Sequence, residues 1–112
     1  MTTTNNKVGG KKRVAFDIDG TLLGFGDKPR DEVLLELKKH QDAGDFVYVW
    51  SGGGLGYAKM IVNRLGLTGV EVVQKSRFLM MDICYDDQIV NLADKNIKIW
   101  TPNKQKRWER DF

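Results

Sequence analysis

The stretch RVAFDIDGTLLGFGD, residues 13–27, decides the reading of this chain. A basic residue leads into an apolar run, which predicts a first strand over Val14 to Ile18 of the kind buried on both faces. Two acids, Asp17 and Asp19, stand one residue apart at its end, and Gly20-Thr21 behind them suits a tight turn. Two carboxylates at the mouth of a buried strand call for a chemical explanation.

Outward from that stretch, strand and helix patterns alternate. Asp31 to Ala43 reads as a helix with Val33, Leu34 and Leu37 on one stripe. Pro29 and the acids Asp31 and Glu32 suit its start, Lys38, Lys39 and a solvent-facing His40 its last turn, and Gly44 its stop. Phe46 to Trp50 is a continuous apolar run, hence a second buried strand. Leu55 to Leu65 is a second helix with Ala58, Ile61, Val62 and Leu65 on one face and Gly66 as its cap. Further strands are expected at Val70 to Val73, Ile83 to Tyr85 and Ile97 to Trp100, with Phe78 to Met81 in the core and a third helix over Ile89 to Lys95.

Short links between strands and helices imply a parallel sheet. The expected class is therefore α/β, a Rossmann-like doubly wound sheet of about five parallel strands with helices on both faces. Ligands of such sheets bind at the carboxyl ends of the strands. Asp17 and Asp19, Ser51, Lys75 and Asp86-Asp87 each fall just after one of the first four strands, so the polar candidates converge on one edge.

That grouping has a chemical logic. Asp17, beside a bound cation, can act as a nucleophile on phosphorus. Asp19 can turn back over the same site and serve as general acid and then base. Thr21 can donate hydrogen bonds there. Ser51, Gly52 and the glycines behind it offer a hydroxyl and backbone N–H groups at a helix start, an arrangement that binds phosphate. Lys75 would hold the phosphoryl group and neutralise Asp17. With Asp17 and Asp19, Asp86 and Asp87 complete a hard oxygen site of the type Mg²⁺ prefers.

Composition is compatible with this. The 112 residues suffice for one domain, and a chain of this length buries roughly two-thirds of its unfolded surface. Hydrophobic content of 41% and charged content of 29% are ordinary for a globular protein. No apolar run approaches the ~20 residues of a membrane span. The expected organisation is a flexible tail over 1–12, a catalytic core over 13–101 and a basic tail over 102–112. Single Cys84 excludes an internal disulfide and fits a reducing, cytoplasmic setting; it is read as a buried strand residue. The net charge is +3, with basic residues gathered at both ends, which suits either contact with nucleic acid or simple solubility.

The segments AFDIDGT, VWSGG, VVQK and ICYDD resemble, in order, the four motifs of the haloacid dehalogenase superfamily of phosphotransferases. The likeness spans residues 13–100. D-x-D-G-T alone should arise by chance in about one chain in a thousand of this length. What the resemblance implies is Mg²⁺-dependent phosphoryl transfer through an aspartyl-phosphate. Asp17 would be nucleophile and metal ligand, and Asp19 the acid/base that lends its backbone carbonyl to the metal. Ser51 and Lys75 would bind the phosphoryl group, with Asp86 a direct metal ligand and Asp87 a second one or one acting through water. The acid at the second position points to phosphatases rather than dehalogenases.

The chain also departs from the pattern. Gly53 stands where many relatives carry arginine, Arg77 competes with Lys75, and Asp82 is a rival metal ligand that precedes its strand. Relatives often insert a cap domain, but residues 22–30 and 76–81 leave room only for a loop or short hairpin. The site is therefore expected to be open, suiting phosphate on a large molecule such as a nucleic-acid end, or a small substrate covered by a neighbouring subunit. A monomer and a homo-oligomer both remain open. The alternative is a non-catalytic phosphate- or nucleic-acid-binding regulatory module, although a receiver-type phosphorylation site would put an aspartate where Gln74-Lys75 stands.

Overall fold

Val14, Ala15 and Phe16 expose no surface, because the strand that carries them is enclosed on every side. The computed structural model describes residues 11–100. In it β1 (Arg13–Asp17) pairs in parallel with β2 (Phe46–Trp50) on one side and β4 (Met81–Asp86) on the other. The outer strands are β3 (Val70–Val72), beside β2, and β5 (Ala93–Lys98), beside β4. All neighbours are parallel, in the order β3-β2-β1-β4-β5. The chain thus winds outward from β1 in both directions, the doubly wound α/β arrangement expected. Residues 1–10 of the N-terminal tail and the whole basic C-terminal tail lie outside the described residues.

Two helices are present, α1 (Asp31–Asp42) and α2 (Leu55–Leu65). α1 carries Asp31 and Glu32 in its first turn and Lys39 and His40 in its last, each sign favourable at its end of the helix dipole. α2 stops at Gly66, whose φ of 69° is the left-handed conformation glycine adopts without strain.

Both helices pack on one face of the sheet. Val33 and Leu37 of α1 and Ala58 and Ile61 of α2 form a single buried cluster with Val14, Phe16, Val47, Val49, Ile83 and Tyr85. The other face holds a smaller cluster of Ala15, Trp50, Met81 and Cys84. Successive strand residues alternate between the two, as the pleat requires. The Trp50 indole Nε1 is buried there with only the Cys84 sulfur, a weak acceptor, to face it.

The third helix is the main correction, and with it the expectation of helices on both faces. Residues 87–92 are irregular, and β5 already begins at Ala93. Seven residues make fewer than two turns, too short to hold by backbone hydrogen bonds alone. Period two replaces period 3.6: Val90 and Leu92 pack on the second cluster while Ile89 and Asn91 face out. The Asn96 side chain then fixes the entry to β5, accepting from Leu92 N at 2.9 Å and Ala93 N at 3.1 Å. The second face is covered by this segment and by the β3–β4 connector instead.

Two smaller corrections follow from packing. In the Phe78 to Met81 run, Met81 is buried, but Phe78 and Met80 stand 85% and 76% exposed. A one-turn 3-10 segment at Arg77–Leu79 turns them outward. His40 does not face solvent. Its Nδ1 lies 2.7 Å from Asp45 Oδ2 and its Nε2 2.9 Å from the Tyr85 hydroxyl, and the Tyr85 ring stacks on Phe16 with centroids 4.5 Å apart.

Phe16 therefore supports both the sheet and this polar bridge. Phe16→Ala should cost about 3–5 kcal/mol in urea unfolding, whereas Leu35→Ser, on the outer face of α1 and 57% exposed, should stay within about 0.5 kcal/mol. A Phe16→Ala loss below about 1 kcal/mol would contradict its place in the core.

Candidate active site

Each sheet strand from β1 to β4 delivers its following loop to the same carboxyl edge. Asp17 ends β1 and Asp86 ends β4, so the two carboxylates sit side by side where the strand order switches direction. Both are buried, at 6% and 1% exposure. Lys75, just past β3, bridges them: its Nζ lies 3.0 Å from Asp17 Oδ1 and 2.7 Å from Asp86 Oδ2.

One ammonium does not balance the group. Oxygens of Asp17, Asp86 and Asp87 lie within 4.8 Å of one another, an acidic cluster of a size that could hold a metal ion. Burial first, and then the neighbouring Asp86 charge, push the Asp17 carboxyl up to about 6 despite the Lys75 ammonium. Burial tends to lower the Lys75 pKa, but its two carboxylate bonds win and hold it above the ordinary lysine value.

The turn after β1 is shaped around this cluster. Gly20 has φ of 85°, and a Cβ there would fall 2.1 Å from Asp87 Oδ2, so only glycine allows Asp87 its position. Thr21 is wholly buried and donates its hydroxyl to Asp17 Oδ2 over a long 3.4 Å. It therefore lies under Asp17 rather than in the cavity, unlike the phosphate-binding position expected of it. Asp86 Oδ1 accepts from Gln88 N at 2.9 Å, a local turn that fixes its carboxylate.

Asp19 takes a separate place. It is exposed at the mouth, and Tyr57 of α2 donates its hydroxyl to Asp19 Oδ1 at 2.6 Å. That bond, with burial second, pushes the Tyr57 phenol up to about 12. Gly53 gives the ring room: a Cβ there would meet Tyr57 Cδ2 at 3.2 Å. The space beside Gly53 is thus occupied by the Tyr57 ring. Sequence reasoning missed Tyr57, because it stands one turn before Ile61 and packs against the first cluster, so its spacing reads as core.

Ser51 is buried with Oγ accepting from Gly53 N at 3.0 Å, and Gly52 is open to solvent. With Asp17, Asp19, Lys75, Asp86 and Asp87 they line one cavity of about 600 Å³, the size of a small-molecule site. The loops after β1 and β4 complete its wall. The two rivals from the sequence lie elsewhere. Arg77 lines a different depression, and Asp82 accepts from Arg13 N at 2.8 Å. Cys84, buried beneath the site, has its thiol pushed up to about 12 by burial and then by Asp86, which leaves it unreactive.

No protein-family profile, no curated protein and no solved structure matches this chain.

A carboxyl whose pKa rises on folding stabilises the native state fully below its unfolded value, and that contribution is lost as pH climbs through the folded one. For Asp17 the window runs from 3.8 to about 6, worth about 3 kcal/mol. In chelator, Asp17→Asn should gain on the native chain by about that amount between pH 4 and pH 7 in urea unfolding. A constant difference across that range would show that the ionised carboxylate is not penalised.

Proposed function

We propose that this chain is a Mg²⁺-dependent phosphomonoesterase working through an aspartyl-phosphate on Asp17. The observation that carries the reading is the Lys75 ammonium bridging Asp17 and Asp86 in a cavity that also holds Ser51, Gly52 and Asp19. The motif resemblance supports it independently of the geometry.

The residues present fit a divalent cation. Three carboxylates face one ammonium, and hard oxygen donors suit Mg²⁺. Asp17, Asp86 and Asp87 would hold it, with the Asp19 backbone carbonyl as a further donor. When bound, the ion supplies positive charge that favours ionised Asp17 and offsets the charge of the phosphoryl group.

In the first half-reaction an Asp17 carboxylate oxygen attacks phosphorus and the bond to the leaving oxygen breaks. Asp19 gives its proton to that oxygen, releasing the alcohol. In the second, Asp19 removes a proton from water, whose oxygen attacks phosphorus. The bond to Asp17 breaks, yielding inorganic phosphate and restoring both carboxyls. Lys75, Ser51 and the backbone N–H groups of the glycine loop bind the non-bridging oxygens, where charge must be stabilised. Tyr57 orients Asp19 at the mouth, where the leaving oxygen departs. No described helix is long and apolar enough to cross a membrane.

Asp17→Asn should lower Mg²⁺-dependent phosphate release from the aryl ester p-nitrophenyl phosphate by about 10³-fold or more, with the circular dichroism spectrum unchanged. Turnover by the pure variant within tenfold of the native rate would refute the reading. Gly20→Ala should weaken Mg²⁺ binding about 10–100-fold by displacing Asp87, measured by calorimetry.

A further inference from the structure

Beyond the phosphoryl group, the cavity has a chemically distinct outer half. Phe25, in the short 3-10 turn after β1, and Ile89 and Val90, in the irregular loop after β4, belong to its lining. Phe25 is 45% exposed and Ile89 is 89% exposed. Scattered apolar residues are ordinary on a surface, and Leu35 and Met60 on the helices are of that kind. Phe25 and Ile89 differ in bordering a single concavity whose floor is ionic. Apolar walls around a few convergent polar groups are the usual composition of a small-molecule site.

Charge argues in the same direction. Lys75 is the only cation among the described lining residues, and it is already shared by two carboxylates. Four aspartates line the same cavity. Within the lining a leaving group bearing further phosphates would meet carboxylates and apolar side chains, while Arg30 nearby is held by the Gly20 carbonyl and Glu32, and Lys98 lies over the Trp100 ring. Lys11 and Lys12 precede β1 and so stand at the amino edge, opposite Asp17. A polyanionic strand entering the site would not reach them without crossing the sheet.

We propose that the substrate is the phosphate monoester of a small, uncharged alcohol with an aromatic or apolar body, which packs against Phe25 and Ile89. The proposal rests on the reading that the phosphoryl group sits over Asp17. It takes the small-substrate branch of the open-site expectation over the nucleic-acid end.

Binding tests it apart from turnover. In Mg²⁺, benzylphosphonate and 3-hydroxypropylphosphonate present the same phosphonate with an aromatic or a polar body. Calorimetry should show benzylphosphonate binding at least about tenfold tighter. Phe25→Ala and Ile89→Ser should each pull that ratio toward one, and because the ratio is read within each variant, general damage to the site does not imitate the result. Benzylphosphonate no more than about threefold tighter, a ratio unmoved by both substitutions, or tighter binding of a 3′-phosphorylated oligonucleotide would each overturn the proposal. Absence of Asp17-dependent turnover of p-nitrophenyl phosphate, by contrast, overturns the phosphatase reading while the binding ratio still decides what the outer half prefers.

Discussion

Lys75 is asked to reconcile two carboxylates that the backbone has already forced together. Parallel pairing of β1 with β4 brings the ends of those strands side by side, so Asp17 and Asp86 are neighbours before any side chain has a choice. Both are withdrawn from water into the low-dielectric interior, which strengthens their repulsion. A single ammonium reaches both, and the third acid, Asp87, leaves the group short of positive charge. The rest of the edge follows from that deficit. The glycine turn admits Asp87, the serine loop lines the same cavity as the lysine, and the three acids form a cluster that could hold a metal ion. Electrostatic tension of this kind lowers stability and is tolerated where it serves chemistry.

How far the sequence revealed this depended on how each residue earns its place. β1 and β2 were legible because strands buried on both faces must be apolar throughout, and acids directly behind such a run have no packing explanation. α1 and α2 were legible from stripes at helical spacing and from their terminal charges and glycine stop. Of β5 only the end, Ile97 and Lys98, fell within the expected fifth strand, because an edge strand facing solvent is free to carry Asp94, Lys95, Asn96 and Lys98, residues that also discourage pairing with another chain. The same freedom made Ile89 to Lys95 look helical, since Leu92, Ala93 and Lys95 favour helices and nothing local reveals a period-two contact with the second cluster.

The site divides along a similar line. Residues tied to strand ends by a motif were placed at the carboxyl edge by topology alone. Thr21 belongs to that motif, yet its burial turned it toward Asp17 and away from the cavity, a matter of rotamer and depth that spacing does not encode. Tyr57 and His40 act through partners 38 and 45 residues away, Asp19 and Tyr85. Such pairings exist only once helices have docked on the sheet, and a linear pattern has no way to express them.

The connector from β3 to β4 fastens to β1 at both ends of that strand. At the carboxyl end Lys75 grips Asp17; at the amino end the Arg13 guanidinium donates to the Leu79 carbonyl and lies over the Tyr48 ring, 5.2 Å from its centroid. A segment without an α-helix is thereby held at both ends by the central, buried strand. The segment that aims the lysine is therefore also held by an arginine at the opposite end of the same strand. In lineages descended from this chain, changes at residue 13 and residue 75 would be expected to travel together, although neither side chain touches the other's partner.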